Sequence, residues 1–138
     1  MNQPSSLVAP LLVATGGGAG AVLRYAVGRL VAHRFAIPAE AFPIATAFVN
    51  IVGSLLMGVL VGWQANGGSA SGTEAQAWRL LVGMGLLGGF TTFSSFSLDL
   101  VVMWQRGAIG AALGYAALSL GGGVAGLLTG LYVMRGTG

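Results

Sequence analysis

The 138-residue chain is 55% hydrophobic and only 7% charged, whereas about a quarter of an ordinary soluble domain is charged. Six arginines and three acids cannot clothe a water-exposed surface, so a soluble globular domain is excluded and a membrane protein is expected. The net charge of +3 is no nucleic-acid signal, since the arginines stand singly, lysine is absent and no basic cluster is interleaved with aromatics. Without cysteine there are no disulfides, thiolate nucleophiles or cysteine-ligated metals, and His33 alone builds no zinc site.

Four apolar runs, each near the ~20 residues that cross a bilayer as a helix, predict an all-α membrane protein. The spans are expected at about 6–32, 42–64, 78–104 and 108–134 within a single domain over 1–138. The opening MNQPSSLVAPLLVATGGG has no basic flank of the kind a cleaved signal carries, so it is expected to be retained. GGGAGA at 16–21 matches a dinucleotide-binding fingerprint, with Glu40 about twenty residues on, but it lies inside an apolar helix with no preceding strand, which excludes that reading. Arg24 lies in the same run; it either snorkels to the far interface or places a cation at the mouth of an anion path. HRFAIPAEAFP, with charge and two prolines, is the first loop.

In the second run Thr46, Asn50 and Ser54 recur at four-residue spacing on one helix face, with Asn50 near mid-depth. Such a group is either an interhelical hydrogen bond worth about 1 kcal/mol or part of a pathway. The third run contains GGFTTFSSFS, residues 88–97: two glycines, then five hydroxyls threaded between three phenylalanines. Gly88, Gly89 and β-branched Thr91 and Thr92 are poor helix formers, so the helix is expected to break there at mid-membrane. Non-helical backbone at that depth must be buried in protein or line a cavity, and its carbonyls suit a cation. Beyond it Thr92, Ser95 and Asp99 share a face, and Phe93 and Phe96 a neighbouring one. The two rings are either packing or, through their electropositive edges, contacts for an anion. Asp99 with a serine and His33 would suggest a hydrolase, but no G-x-S-x-G elbow is present. In the fourth run Tyr115 and Ser119 are four apart, and the tyrosine is either an interfacial anchor or a path hydroxyl.

Trp63, Trp78 and Trp104 fall at predicted span ends, where indoles prefer the interface. Glycine, 25 residues, recurs at helical spacing: Gly16, Gly20 and Gly28; Ser54, Gly58 and Gly62; Gly110 and Gly114; Gly122, Gly126 and Gly130. Small residues four apart let helices approach closely in lipid, so each helix has a packing face. Arg79 and Arg135 fall on one side of the membrane, Arg34 and Arg106 on the other with Arg29 near it, so the bias that fixes orientation almost vanishes. An antiparallel, dual-topology homodimer is the expected consequence, and since no internal repeat occurs, the two-fold relation needs a second copy.

Through GGGAGAVLRY, FVNIVGSLLMG, GGFTTFSSFSLD and GYAALS, taken in order over nearly the whole chain, the sequence resembles the Fluc (CrcB-type) family of fluoride channels. The resemblance implies a four-helix subunit in an antiparallel dual-topology homodimer, with two fluoride pores and a central structural Na+ held by backbone carbonyls of Gly88 and Thr91. It implies Phe93 and Phe96 as the facing aromatic pair, Asn50 as the pore asparagine, Thr92, Ser95, Tyr115 and Ser119 as the hydroxyl track, and Arg24 as the vestibule arginine. Asp99 stands where a glutamate is common, and Gly123 where some members add a hydroxyl. The expected function is passive fluoride export across the bacterial inner membrane, protecting the cytoplasm. The protein is then not an enzyme, has self, fluoride and lipid as partners and binds no nucleic acid. The rival, a small multidrug-resistance-type proton-coupled transporter, needs a carboxylate in the first span, where this chain has an arginine. A non-transporting scaffold would show glycine faces but no broken span bearing hydroxyls.

Overall fold

A computed structural model of the chain describes residues 7–35, 42–68 and 72–136. The expected start at residue 6, Glu40 with most of the first loop, and the tip of the second loop lie outside the described residues. The described chain is all helical: α1 (Val8–Phe35), α2 (Ile44–Ala65), a third span from Gly72 to Gln105, and α6 (Ile109–Arg135). Each of the four is long and apolar enough to cross a membrane, and the chain is a multi-pass membrane protein.

The third span is composite. It opens with α3 (Gly72–Trp78), widens into a π-helical stretch (Arg79–Leu87), closes with one α turn, α4 (Gly88–Phe90), and resumes as α5 (Phe93–Gln105). Its helix starts at Gly72, ahead of the apolar run expected from about 78, with Glu74 in a first turn whose free N–H groups favour an acid. In the π stretch hydrogen bonds reach back five residues, as from the Gly88 N–H to the Gly83 carbonyl. Gly88 itself is helical (φ −63°, ψ −38°), and the backbone leaves helical geometry at Thr91 (φ −80°, ψ 160°) and Thr92 (φ −152°, ψ 117°).

Two close seams order the helices. α1 packs on the π stretch and α4, where a Cβ at Gly16 or Gly20 would collide with the Leu81 or Leu86 carbonyl. α2 packs on α6, where a Cβ at Gly58 would strike the Leu127 carbonyl and one at Gly130 the Leu55 carbonyl. Backbone-to-backbone approach of this kind gives dispersion contacts in a solvent that supplies no hydrophobic drive. Gly110 and Gly114 meet nothing within 4 Å, so that pair serves no contact inside the described chain.

Both α2 and α5 end in the same hydrogen-bonded cap. Gly67 (φ 78°) and Gly107 (φ 73°) adopt the left-handed conformation, and the following N–H groups, of Gly68 and Ala108, reach back to the Trp63 and Met103 carbonyls at 3.0 Å. The tight second turn brings α6 back beside α5. The core then forms where α2, α5 and α6 meet: Ala47, Phe96, Met103, Ala112 and the fully buried Tyr115, flanked by Phe42 and Leu100. Much of the remaining apolar surface is exposed, as for Leu11, Val22, Met84 and Leu98, which suits lipid or another subunit.

Candidate functional site

The non-helical pair Thr91–Thr92 is held by a side chain 42 residues away in sequence. Asn50 of α2 accepts the Thr92 N–H on Oδ1 at 2.8 Å and donates Nδ2 to the Thr92 carbonyl at 3.2 Å. A primary amide presents a donor and an acceptor side by side, as a neighbouring strand does, so it pairs with one extended residue. The Thr92 N–H is the group that would bond the Gly88 carbonyl if the helix continued. By capturing it, Asn50 leaves the Gly88 carbonyl without its helical partner. The Leu87 carbonyl is doubly occupied instead, by the Thr91 N–H at 3.0 Å and the Thr91 hydroxyl at 2.9 Å.

The resumed helix is capped by Thr92, whose Oγ1 accepts the Ser95 N–H at 3.2 Å, donates to Ser95 Oγ at 3.1 Å and lies 3.3 Å from Ser94 Oγ. One hydroxyl thus starts α5 and organises two others. Further along α5, Asp99 accepts a 3.0 Å hydrogen bond from the Tyr115 hydroxyl. The buried Ser119 Oγ completes no hydrogen bond among the described residues. The rings form a ladder: Phe42 stands edge-on to Tyr115 (centroids 5.5 Å, 86°), Tyr115 tilts against Phe96 (5.3 Å), and Phe96 against Phe93 (5.7 Å). Burial falls sharply along it, from Phe96 at 5% exposure to Phe93 at 74%.

An open cavity of about 380 Å³ gathers Asn50, Thr91, Thr92, Phe93, Phe96 and Ser119. Its walls carry amide, hydroxyl and aromatic groups beside the aliphatic Leu120, Val124, Leu127 and Leu128, with no formally charged side chain. Across Thr92 lies a smaller cavity of about 120 Å³ that includes Arg24, Thr46 and Ser95; the Arg24 Nε is buried there without a hydrogen-bond partner among the described residues. Thr92 is the residue common to both. Of the other residues singled out in the sequence, Tyr115 lines neither cavity and sits behind Phe96, and Gly88 is exposed outside both. Among the described residues no three His, Cys, Asp or Glu side chains converge as a metal site would require.

Phe42 carries no clear signal in the sequence, whereas Ser54 is marked both on the Asn50 face and on a glycine face. Phe42 adjoins a proline in what reads as loop, yet it buttresses Tyr115. Ser54 lines the larger cavity, and a Cβ at Gly123 would lie 3.4 Å from its hydroxyl. The four-residue spacing from Asn50 was the available clue, since it puts Ser54 on the face that carries the clamp.

Residues 11–131 match the sequence profile of the CrcB-like protein, Camphor Resistance (CrcB), family. The chain belongs to the CrcB-like family. Among relatives, the "Fluoride-specific ion channel FluC" of Novosphingobium aromaticivorans is 52% identical over 130 residues, covering 94% of this chain and 98% of its own. Proteins of the same name from Erythrobacter litoralis (48%, 98% of both chains) and Caulobacter vibrioides (45%, 91% and 94%) are similarly related. With four apolar spans and bacterial ion channels as relatives, this CrcB-like protein is a multi-pass protein of the plasma membrane.

Proposed function

We propose that this CrcB-like protein is a fluoride-selective channel that lets fluoride leave the cytoplasm passively across the bacterial inner membrane. The observation that carries this reading is the uncharged, donor-bearing cavity built on the Asn50–Thr92 clamp. Fluoride is small and strongly hydrated, so a pore for it must replace water with donors already fixed in place, while avoiding a full positive charge that would hold the ion. Asn50 Nδ2 carries two hydrogens and gives one to the Thr92 carbonyl, leaving the other for an anion. Ser119 contributes a buried hydroxyl that completes no hydrogen bond among the described residues, and Phe93 and Phe96 contribute electropositive ring edges.

Thr92, Ser95 and Tyr115 continue the polar route, and Arg24 raises the anion concentration at the smaller cavity without lining the larger one. Ser54 supplies, from α2, a hydroxyl at the place where Gly123 of α6 has no side chain. The route is completed in an antiparallel, dual-topology homodimer, in which the exposed Phe93 faces the partner and the third span is interrupted at mid-membrane. The near-equal arginine counts on the two sides support both insertions.

The residues at the interruption fit a monovalent cation. Gly88 has lost the helical partner of its carbonyl and is exposed, and Thr91, extended, follows the last helical turn, so both offer hard oxygen ligands of the kind sodium takes. A bound Na+ would neutralise the facing carbonyl dipoles at the dimer centre and hold the two subunits together. The test is fluoride efflux from proteoliposomes, followed with a fluoride electrode under a potassium gradient clamped by valinomycin. Rapid efflux of fluoride with little of chloride is expected; efflux that requires an opposing proton gradient, or none from well-folded protein, would overturn the reading.

A further inference from the structure

The third span carries exposed side chains on one line to either side of its interruption. Between Arg79 and Gly88 the exposed residues are Arg79, Met84 and Gly88, five and four apart, which is a single line on a π stretch of about four to five residues a turn. Past the interruption stand Phe93 and Trp104, 74% and 65% exposed. They are eleven residues apart, about three α-helical turns, so both occupy one face of α5. Arg79 lies as many residues ahead of Phe90 as Trp104 lies beyond Phe93, eleven in each case, or roughly 16 Å at the α-helical rise. The π stretch is more compact per residue, a difference that the long arginine side chain spans. Beside Arg79 a cavity of about 460 Å³ opens between α2 and the π stretch, lined among others by Met57, Val61 and Met84. Arg79 has no ion-pair partner among the described residues, and no acid lines the cavity.

We propose that a second, antiparallel copy of the chain closes this cavity with the indole of Trp104 of the partner subunit, laid over the Arg79 guanidinium, and that two such pairs seal the dimer at opposite membrane faces. This rests on the dimer of the proposed function and adds the contact at its two ends. A two-fold axis in the membrane plane through the interruption carries each residue to an equal distance on the other side, so Trp104 of the partner subunit arrives at the depth of Arg79. The face is continuous with the exposed Gly88 and Phe93 of the same interface. The lining favours an aromatic occupant: a guanidinium attracts a π face, and Met57 and Met84 supply sulfur–aromatic contacts. A carboxylate would also suit Arg79, but the one acid of α5, Asp99, accepts the Tyr115 hydroxyl. A parallel pairing would set one Arg79 beside the other, which is repulsive. Separate anchoring of Trp104 and Arg79 at the membrane surface accounts for each residue alone, but not for their equal distances from the interruption or the hollow beside Arg79.

The chain has no cysteine, so introduced thiols report without background. In membranes, a short bis-maleimide should link the Arg79→Cys, Trp104→Cys double variant into dimers several-fold more than either single variant, because each single variant places its two thiols on opposite membrane faces. The two single variants expressed together should link as well. Without cross-linker, dissociation of the dimer on dilution in detergent should rise several-fold in Arg79→Gln and in Trp104→Leu, and less in Trp104→Phe, which keeps an aromatic face. The Arg79→Gln, Trp104→Leu double variant should dissociate no more than either single one, as for two side chains that act through one contact. Linkage in a single variant, none in the double cysteine variant, or losses that add overturn the proposal. Native fluoride efflux from a protein that is dimeric yet unlinked overturns this contact and leaves the channel reading standing. Linked dimers without fluoride efflux do the reverse.

Discussion

Replacing Asn50 tests the centre of the structure, because one side chain holds both backbone groups of Thr92. In Asn50→Leu two hydrogen bonds go, at about 1 kcal/mol each, and the Thr92 carbonyl is stranded at a further cost of about 1–3 kcal/mol. The Thr92 N–H can recover by bonding the Gly88 carbonyl, which straightens the span and removes the extended pair. The expected loss is therefore about 3–5 kcal/mol for the interrupted form, enough for the straightened form to compete. Asn50→Asp differs: the carboxylate still accepts the 2.8 Å bond from the Thr92 N–H, while the 3.2 Å bond is lost and the Thr92 carbonyl is stranded as in the Leu variant. Stability in detergent, read from tryptophan fluorescence during chemical unfolding, should fall in the order Asn, Asp, Leu. Fluoride efflux should be lost in both variants, since Asp also removes the free donor and adds a negative charge to an anion path. Asn50→Leu with native unfolding and native efflux would refute the reasoning.

The two phenylalanines should separate stability from flux. Phe93→Leu, at a side chain 74% exposed, should leave the subunit fold unchanged, and Phe96→Leu, buried against Tyr115, should cost at most about 1.5 kcal/mol. Both should reduce efflux steeply, with Met at either position less damaging than Leu because its polarisable thioether and methyl partly replace the ring edge; native efflux from the double Leu variant would make the rings mere packing. Ser54→Ala should slow fluoride efflux, and adding Gly123→Ser should restore part of it by returning a hydroxyl from the facing helix to the same spot; an unrestored rate would deny Ser54 that role. Gly58→Ala should lower stability by about 1–3 kcal/mol through collision with the Leu127 carbonyl, whereas Gly110→Ala, with open space around it, should leave the subunit's unfolding midpoint in place.

The sequence alone determined that this chain crosses a membrane four times, because charge scarcity and apolar run length are properties of the chain and need no partner. It also picked out the glycine faces, since four-residue spacing fixes which side of a helix is small. It did not determine what those faces meet. Only the tertiary structure paired Gly16 and Gly20 with the third span and Gly58 with α6, and left Gly110 and Gly114 open, because a small face accepts any helix that can reach it. The third span shows the same division. Its glycines and threonines marked a weak stretch, but the glycines stay helical and the extended geometry falls on Thr91 and Thr92, where an amide 42 residues away offers the Thr92 N–H a better partner than the carbonyl of its own helix. Local propensity measures how little a helix resists leaving its geometry; the place where it leaves is set by whichever side chain folding brings within hydrogen-bonding distance.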